Sequence, residues 1–422
     1  MIRRLYSLAV IGAQPFLRRK LRRRGAAEPG YLHAIDERFG WYAGAAEPGA
    51  LWIHAVSLGE TRAAAILLER LRRHRPELRV LLTHGTATGW AEGERLLRPG
   101  DQQAWLPWDT PMAVRRFLAH FRPSMGVLME TEVWPNLVAE CRAHGLPLVL
   151  ANARLGEKSL AQARRLSRLS RPAYASLSAV WAQTQADARR LAQAGATVTG
   201  VFGNLKFDAA PDPAQLERGR AWRAGRGQPV VMFASSREGE EAQFLALVQA
   251  RRALSASSAP AARWLLVPRH PQRFDDVAAL ALSHGFTVSR RSEWAAGPAP
   301  ADIWIGDSLG EMALYYGMAD VALLGGSFEP LGGQNLIEAA ACGCPVVMGP
   351  HTFNFSEAAQ LAQEAGAATR VGSLEEGIRA ALDLASNPSR RKAAVAAAAG
   401  FAAAHRGAAD KTADAVLALL AR

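Results

Sequence analysis

Cysteine is scarce: Cys141, Cys342 and Cys344 are the only three in 422 residues. Three thiols build no disulfide framework. The C-G-C pair is not a C-x-x-C redox motif, and no histidine lies beside it at zinc-ligand spacing. The expectation is a reducing compartment and no metal. Aromatic residues make up only 7%, and the densest basic run does not interleave with them, as a nucleic-acid-binding face requires. No nucleic-acid partner is expected. A G-x-x-x-x-G-K-[ST] loop is missing, and no G-x-G-x-x-G follows the first strand-like run. Those absences weaken P-loop NTPase and dinucleotide dehydrogenase readings. No acidic residue precedes Glu28.

What is present points to a folded protein of two or three domains, by length alone. Hydrophobic residues at 49% and charged residues at 21% are ordinary. The net charge of +12 implies an acidic partner: nucleic acid, a phosphorylated substrate or an anionic membrane. The first residues, "MIRRLYSLAVIGAQPFLRRKLRRRG", hold an apolar stretch from Leu5 to Leu17 between basic blocks. As a helix it extends ~20 Å, short of the ~30 Å core of a bilayer. A basic block, not a small-residue cleavage site, follows it, so a signal peptide is disfavoured. Two readings stand: an interfacial helix with arginines facing anionic lipid, and a solvated basic helix.

From residue 50 apolar runs alternate with helix-like segments: "LWIHAV", "RVLLTH", "MGVLM", "PLVLANA", "AVWAQT" and "TVTGVFG". That alternation predicts a parallel sheet covered on both faces. A Pro, Gly and charge-rich stretch over 209–228 reads as a linker containing a short helix. A second series comes next: "VVMFAS", "RWLLVP", "FTVSR", "DIWIGD", "VALLGG" and "PVVMGP". The expected organisation is an anchor helix over 1–24, a first α/β domain over 25–208, the linker, and a second α/β domain over 229–422. Because the α/β pattern starts near residue 50, residues 1–24 are expected to be dispensable for folding. In such sheets ligands bind beyond the carboxyl ends of the strands.

Polar residues gather at those ends. Glu60 stands where the run Trp52 to Val56 turns into a helix, and Glu130 and Glu132 follow "MGVLM". Glu60 and Glu130 suit acid–base work in a cleft; each also suits a helix N-terminus. Lys206 in "GNLKFD" is either solvated or placed to neutralise a leaving phosphate. "ASSREGEE" reads as an anion-binding helix start or as a capping box. In "VPRHPQRF" two prolines stiffen the loop around Arg269, whose guanidinium can grip a phosphate bidentately. Gly332 and Gly333 permit close backbone approach before a helix starting near Gln334 and Asn335. With Glu338 one turn in, that helix suits a phosphate and ribose hydroxyls.

The ordered set "HAVSLGE", "PWD", "ETEVWPN", "NARL", "GNLKFD", "SSREGEE", "VPRHPQRF", "DSLGEM" and "GGSF…GGQNLIEAAACGCPVVMGPHTFNF" resembles the 3-deoxy-D-manno-octulosonic acid (Kdo) transferases of lipopolysaccharide synthesis, over nearly the whole chain. The resemblance implies a GT-B fold, with two Rossmann-like domains facing across a cleft and an N-terminal membrane-associated helix. It implies transfer of Kdo from CMP-Kdo to the lipid A precursor at the anionic cytoplasmic face of the inner membrane, with inversion and without a metal or other cofactor. It makes Glu60 the general base and Glu130 and Lys206 transition-state helpers. CMP contacts carry over to Pro268 and Arg269, to Leu309, Gly310 and Glu311, and to Asn335, Leu336, Ile337 and Glu338. The alternative is a membrane-associated GT-B enzyme using a UDP-sugar.

Overall fold

The computed structural model describes residues 1–224, 227–254 and 262–421; residues 225–226 of the expected linker fall outside these. Two α/β units emerge: residues 1–208 with 406 onward, and residues 209–405.

The first unit carries strands β1 (Leu51–His54), β2 (Val80–His84), β3 (Gln102–Trp105), β4 (Met125–Met129), β5 (Leu148–Ala153), β6 (Ala179–Ala182) and β7 (Val198–Val201). They form one sheet in the order β3-β2-β1-β4-β5-β6-β7, and neighbours pair in parallel. Parallel strands buried on both faces read as continuous apolar runs, and that is why "LWIH" and "MGVLM" are legible. One face holds Trp52, Leu81, Leu128 and Leu150. The other holds Ile53, Leu82, Val127 and Val149. Trp52 fits because its neighbour in register is Gly126: a Cβ there would lie 2.7 Å from the indole ring. The edge strand β3, "QQAW", is half polar and only partly buried.

The second unit carries β8 (Val230–Ser236), β9 (Arg263–Pro268), β10 (Val288–Arg290), β11 (Ile303–Ile305), β12 (Val321–Leu324), β13 (Val346–Met348) and β14 (Ala368–Arg370). Their order is β10-β11-β9-β8-β12-β13-β14, and the pairing is again parallel. In both sheets the chain reverses its direction of travel at the centre, between β1 and β4 and between β8 and β12. Such switch points leave an opening at the carboxyl edge where ligands bind.

Three expectations about boundaries need correction. The short helix expected within the linker is present, Pro213–Arg223, capped by Asp212, but it packs onto the Met312–Met318 helix, so the stretch belongs to the second unit. Gly219 permits the approach, since a Cβ there would lie 2.1 Å from the Leu314 carbonyl oxygen. The N-terminal helix runs from Ile2 to Ala27, past the expected boundary at 24, and buries Ser7, Leu21 and Gly25, so it packs on the first unit. The C-terminal helix, Ala408–Leu420, packs on the Leu58–His74 helix of the first unit. Its Ala409, Ala413 and Val416 join the core that contains Leu67 and Leu71.

Asp208 secures that return. Its carboxylate accepts the Gly407 and Ala409 N–H groups at 2.6 and 2.7 Å. Asp208→Ala should cost about 0.5–2 kcal/mol, as lost helix caps do. Limited proteolysis should then cut first near residue 407, and denaturant titration should show the lower midpoint; an unchanged midpoint would mean that apolar packing alone holds the helix.

Candidate active site

Glu60 lies in the first turn of the Leu58–His74 helix, directly after β1. The turn is closed by a reciprocal arrangement. The Glu60 N–H donates to Ser57 Oγ at 3.4 Å, and the Ser57 hydroxyl donates to Glu60 Oε1 at 3.1 Å. The Val56 N–H donates to Oε2 at 2.9 Å. The Val56 carbonyl accepts from the N–H groups of Gly85 and Thr86 and from the Thr86 hydroxyl. A side chain at Gly89 would put its Cβ 2.8 Å from that carbonyl oxygen. The buried imidazole of His84 lies 3.0 Å from the Ala55 carbonyl oxygen, and burial pulls its pKa down to about 4. His84 is thus a neutral support for the turn.

β4, paired beside β1, brings Glu130 and Glu132 to the same edge. Glu130 is 2% exposed and has a φ of 57°. A left-handed glutamate costs energy that surrounding contacts must offset, a condition found at functional sites. Those contacts are present. The Glu130 N–H donates to the Ala151 carbonyl, and its own carbonyl accepts from the Arg154 N–H. The carboxylate receives Arg154 Nε at 2.8 Å and Lys206 Nζ at 3.1 Å. Charge-assisted bonds of this kind offset the burial of a carboxylate. The Glu132 carboxylate accepts the Trp134 indole N–H at 2.8 Å; burial and then the Glu130 charge push its pKa up.

Glu60 feels all of this. Burial, followed by the charges of Glu130 and Glu132, raises its pKa to about 7, against the lowering effect of the Val56 and Ser57 bonds. A carboxyl group poised near neutrality is suited to proton transfer. The structure therefore brings Glu60, Glu130 and Lys206 together. It adds Glu132 and Arg154, which sequence reading did not place in the site. Asn152, also at positive φ, fixes the Lys206 segment by accepting the Leu205 N–H at 3.1 Å. The position of "NARL" at the end of β5 was the available signal for both Asn152 and Arg154.

In the second unit the remaining candidates follow strands that end at one edge. Pro268 is the buried last residue of β9, and the Arg269 N–H donates to the Ser236 carbonyl at 2.9 Å. After β11, Leu309 is 70% exposed and Gly310 has a φ of 79°. Glu311 accepts from Arg291 at 2.8 Å and from the Ser308 hydroxyl at 2.6 Å, with Arg218 at 3.4 Å. Burial alone would raise its pKa, but these donors hold it below the usual carboxylate value. Gln215 donates to the Gly310 carbonyl at 3.0 Å, so the supposed linker helix braces this turn. Asn335 caps the Leu336–Ala341 helix by accepting the Ile337 N–H. The Leu336 and Ile337 side chains are core residues at 1% exposure, which leaves only their backbone to meet a ligand. Glu338 lies half-buried near Tyr316.

The "SSREGEE" turn departs from its anion-binding reading. Glu240 is fully buried, and its carboxylate accepts the N–H groups of Arg237, Gly326 and Phe328. The turn thus holds a buried carboxylate of the protein's own, while among the described residues no serine hydroxyl accepts a helix N–H there as a capping box requires. This carboxylate ties the turn after β8 to the "GGSF" turn after β12.

Comparison with known proteins agrees with this architecture. Residues 33–209 match the family described as 3-deoxy-D-manno-octulosonic-acid transferase (kdotransferase). A 3-deoxy-D-manno-octulosonic acid transferase of Bordetella pertussis is 49% identical, covering 99% of each chain. A probable mitochondrial 3-deoxy-D-manno-octulosonic acid transferase of Arabidopsis thaliana is 33% identical over 91% of this chain and 88% of its own. Among solved structures, MurG of Acinetobacter baumannii superposes with a TM-score of 0.53 at 14% identity, covering 88% of this chain and 99% of its own. That likeness concerns the fold, two Rossmann-like units of the GT-B class. The near-complete match to the curated transferases goes further, and the chain belongs to the Kdo transferase family.

Proposed function

We propose that this Kdo transferase moves Kdo from CMP-Kdo to a sugar hydroxyl of a lipid A precursor, with Glu60 as general base. The observation that carries the reading is the carboxylate cluster at the switch point of the first sheet, where Glu60 is raised to about 7 beside the charges of Glu130 and Glu132. In a single inverting displacement, Glu60 takes the acceptor hydroxyl proton as its oxygen bonds to the anomeric carbon. The bond to the CMP phosphate oxygen breaks, and CMP leaves with the electron pair. Lys206 meets the charge developing on the departing phosphate, and Glu130, bonded to it and to Arg154, sets its position. In the second unit Arg269, the Leu309–Glu311 turn and the Asn335–Glu338 helix start bind the nucleotide. Incubation with CMP-Kdo or a UDP-sugar and the tetra-acylated precursor, followed by mass analysis, tests the assignment; sugar transfer from the UDP donor alone would replace it with the rival chemistry.

The N-terminal helix supplies the membrane contact. Leu5, Leu8, Gly12, Phe16, Arg19 and Arg23 are spaced by three and four residues, so they share one stripe, and all six are exposed. The stripe is apolar in its first part and basic in its second. Among the described residues no helix is long and apolar enough to cross a membrane. An apolar and basic stripe opposite the packed residues Ser7 and Leu21 supports a helix lying in the interface of an anionic bilayer. The acceptor's acyl chains stay in that bilayer, so its sugar is met at the surface.

Glu60→Gln preserves an acceptor for the Val56 N–H. It should fold normally but lose roughly 10²-fold in kcat, as expected for a missing general base. Wild-type kcat/KM should rise with pH through about 7, because only the deprotonated carboxylate accepts a proton; the variant should lack that limb. A variant with the same profile as wild type removes Glu60 from the role.

Arg269→Ala and Glu338→Ala should each weaken CMP binding ~10- to 150-fold, equivalent to about 1.5–3 kcal/mol for a hydrogen bond to a charged group. Titration calorimetry measures this, and unchanged affinity in both places the nucleotide elsewhere.

Replacing Leu5, Leu8 and Phe16 together by Ser touches only exposed positions and should leave the thermal midpoint intact. Flotation on anionic liposomes should fall by about tenfold or more, since each lost apolar contact is worth ~1.5–3 kcal/mol at full burial. Equal flotation would move the anchor to another surface.

A further inference from the structure

Neither the carboxylate cluster nor the nucleotide turns give the "PWD" segment a task. Its Asp109 is 7% exposed. The carboxylate accepts the Asn136 N–H at 3.0 Å and the Leu137 N–H at 2.7 Å. The Asp109 carbonyl accepts from Asn136 Nδ2 at 2.8 Å. These N–H groups are two of the orphan donors at the start of the Pro135–Ala143 helix. Four other helices of this unit are capped locally, by Ser57, Thr86, Thr110 and Thr184. Here the N-cap residue is Trp134, which offers no cap and donates instead to Glu132. The cap is imported from 27 residues away.

The N-terminal helix meets this network at two residues. The Tyr6 hydroxyl faces the Asp109 carboxylate, and the two interact electrostatically. Beside it, the Ser7 hydroxyl lies 3.0 Å from Asn136 Oδ1 and 2.8 Å from the Arg3 carbonyl oxygen. Asn136 is fully buried and Ser7 nearly so. The helix fastened in this way begins directly behind the Glu130–Trp134 loop, so one buried polar network joins the N-terminal helix to the loop that carries Glu130 and Glu132. A local Ser or Asp at position 134 would cap the helix equally well, yet would leave Asp109 without its role between that helix and Tyr6, and Glu132 without its indole donor.

We propose that Asp109 is a positioning residue that locks the N-terminal helix and the Glu130–Trp134 loop into one rigid piece, so that the seating of the helix on the bilayer fixes where the acceptor hydroxyl arrives. This rests on the interfacial-helix reading above. A misplacement of about 1 Å at a reacting centre can cost on the order of 10²-fold in rate, so a loose joint between anchor and loop matters when the acceptor is held in a membrane. It matters much less when the acceptor diffuses freely in detergent.

The test uses full-length Tyr6→Phe, which keeps the ring and removes only the hydroxyl, with Asp109→Asn as the second variant. Each is assayed on precursor embedded in phosphatidylglycerol-containing vesicles and on the same precursor in detergent, alongside flotation on those vesicles. Tyr6→Phe is expected to float like wild type, to stay within about twofold in detergent, and to lose about tenfold in kcat on vesicles. Asp109→Asn should lower both activities, and adding Tyr6→Phe to it should not lower the vesicle-to-detergent ratio further, since both act through one joint. Equal losses of Tyr6→Phe in both formats, or no loss on vesicles, overturn the proposal and leave the network a stability element. Loss of flotation by Tyr6→Phe also overturns it, making Tyr6 part of the anchor. Failure of the wild-type protein to float removes the interfacial-helix reading itself, a separate and recognisable outcome.

Discussion

Everything at the first unit's carboxyl edge depends on one closure: the Glu60 carboxylate bonding back to the Val56 N–H at the end of β1. The bond fixes where the chain turns and by itself lowers the acid's pKa, whereas burial of the carboxylate lifts it. The carboxylate caps its own turn, which Gly85, Thr86 and His84 brace from the neighbouring strand end. Its burial then lets charges from Glu130 and Glu132 reach it through protein more than through water. The cap reading, which the bonds of Glu60 show, is compatible with the proposed acid–base role.

The same logic governs Glu130. A buried carboxylate in a left-handed turn would be unfavourable alone, and Arg154 and Lys206 supply the compensation. Their positions come from β5 and from the segment after β7, both ordered by the sheet. Parallel strand order thus sets the electrostatics: neighbouring strands end at one edge, and the loops leaving them meet there. The second unit repeats the device with Glu240, whose carboxylate staples the turns after β8 and β12.

The central strands were legible because burial on both faces leaves uninterrupted apolar runs. β3 and β14 were not, since edge strands such as "QQAW" and "ATR" need less apolar surface. The short helix within 209–228 was legible, but its packing was hidden by its composition. Gly219 looks like a linker residue but permits close helix packing, and Arg218 and Arg223 look solvated but pair with Glu311 and Asp320. At the site, Glu60, Glu130 and Lys206 came from motifs. Arg154 and the depth of Glu132 depend on tertiary contacts that no spacing reports. Leu336 and Ile337 show the reverse case, motif positions whose side chains serve the core.

The return of residues 406–421 to the first unit bears on how the polypeptide acquires its shape during translation. Domains ordinarily fold from the N-terminus onward as they leave the ribosome. Here the N-terminal sheet waits. The helix carrying Leu67 and Leu71 lacks its partners Ala409, Ala413 and Val416 until they have been synthesised, just over 200 residues after β7. The 209–405 segment has all its strands before then. All strands of the second unit are therefore synthesised before the first unit's core has its last apolar residues, which leaves the Leu67 and Leu71 positions without those partners over an exposed interval. At 5–20 residues per second, that exposure lasts roughly 10–40 s.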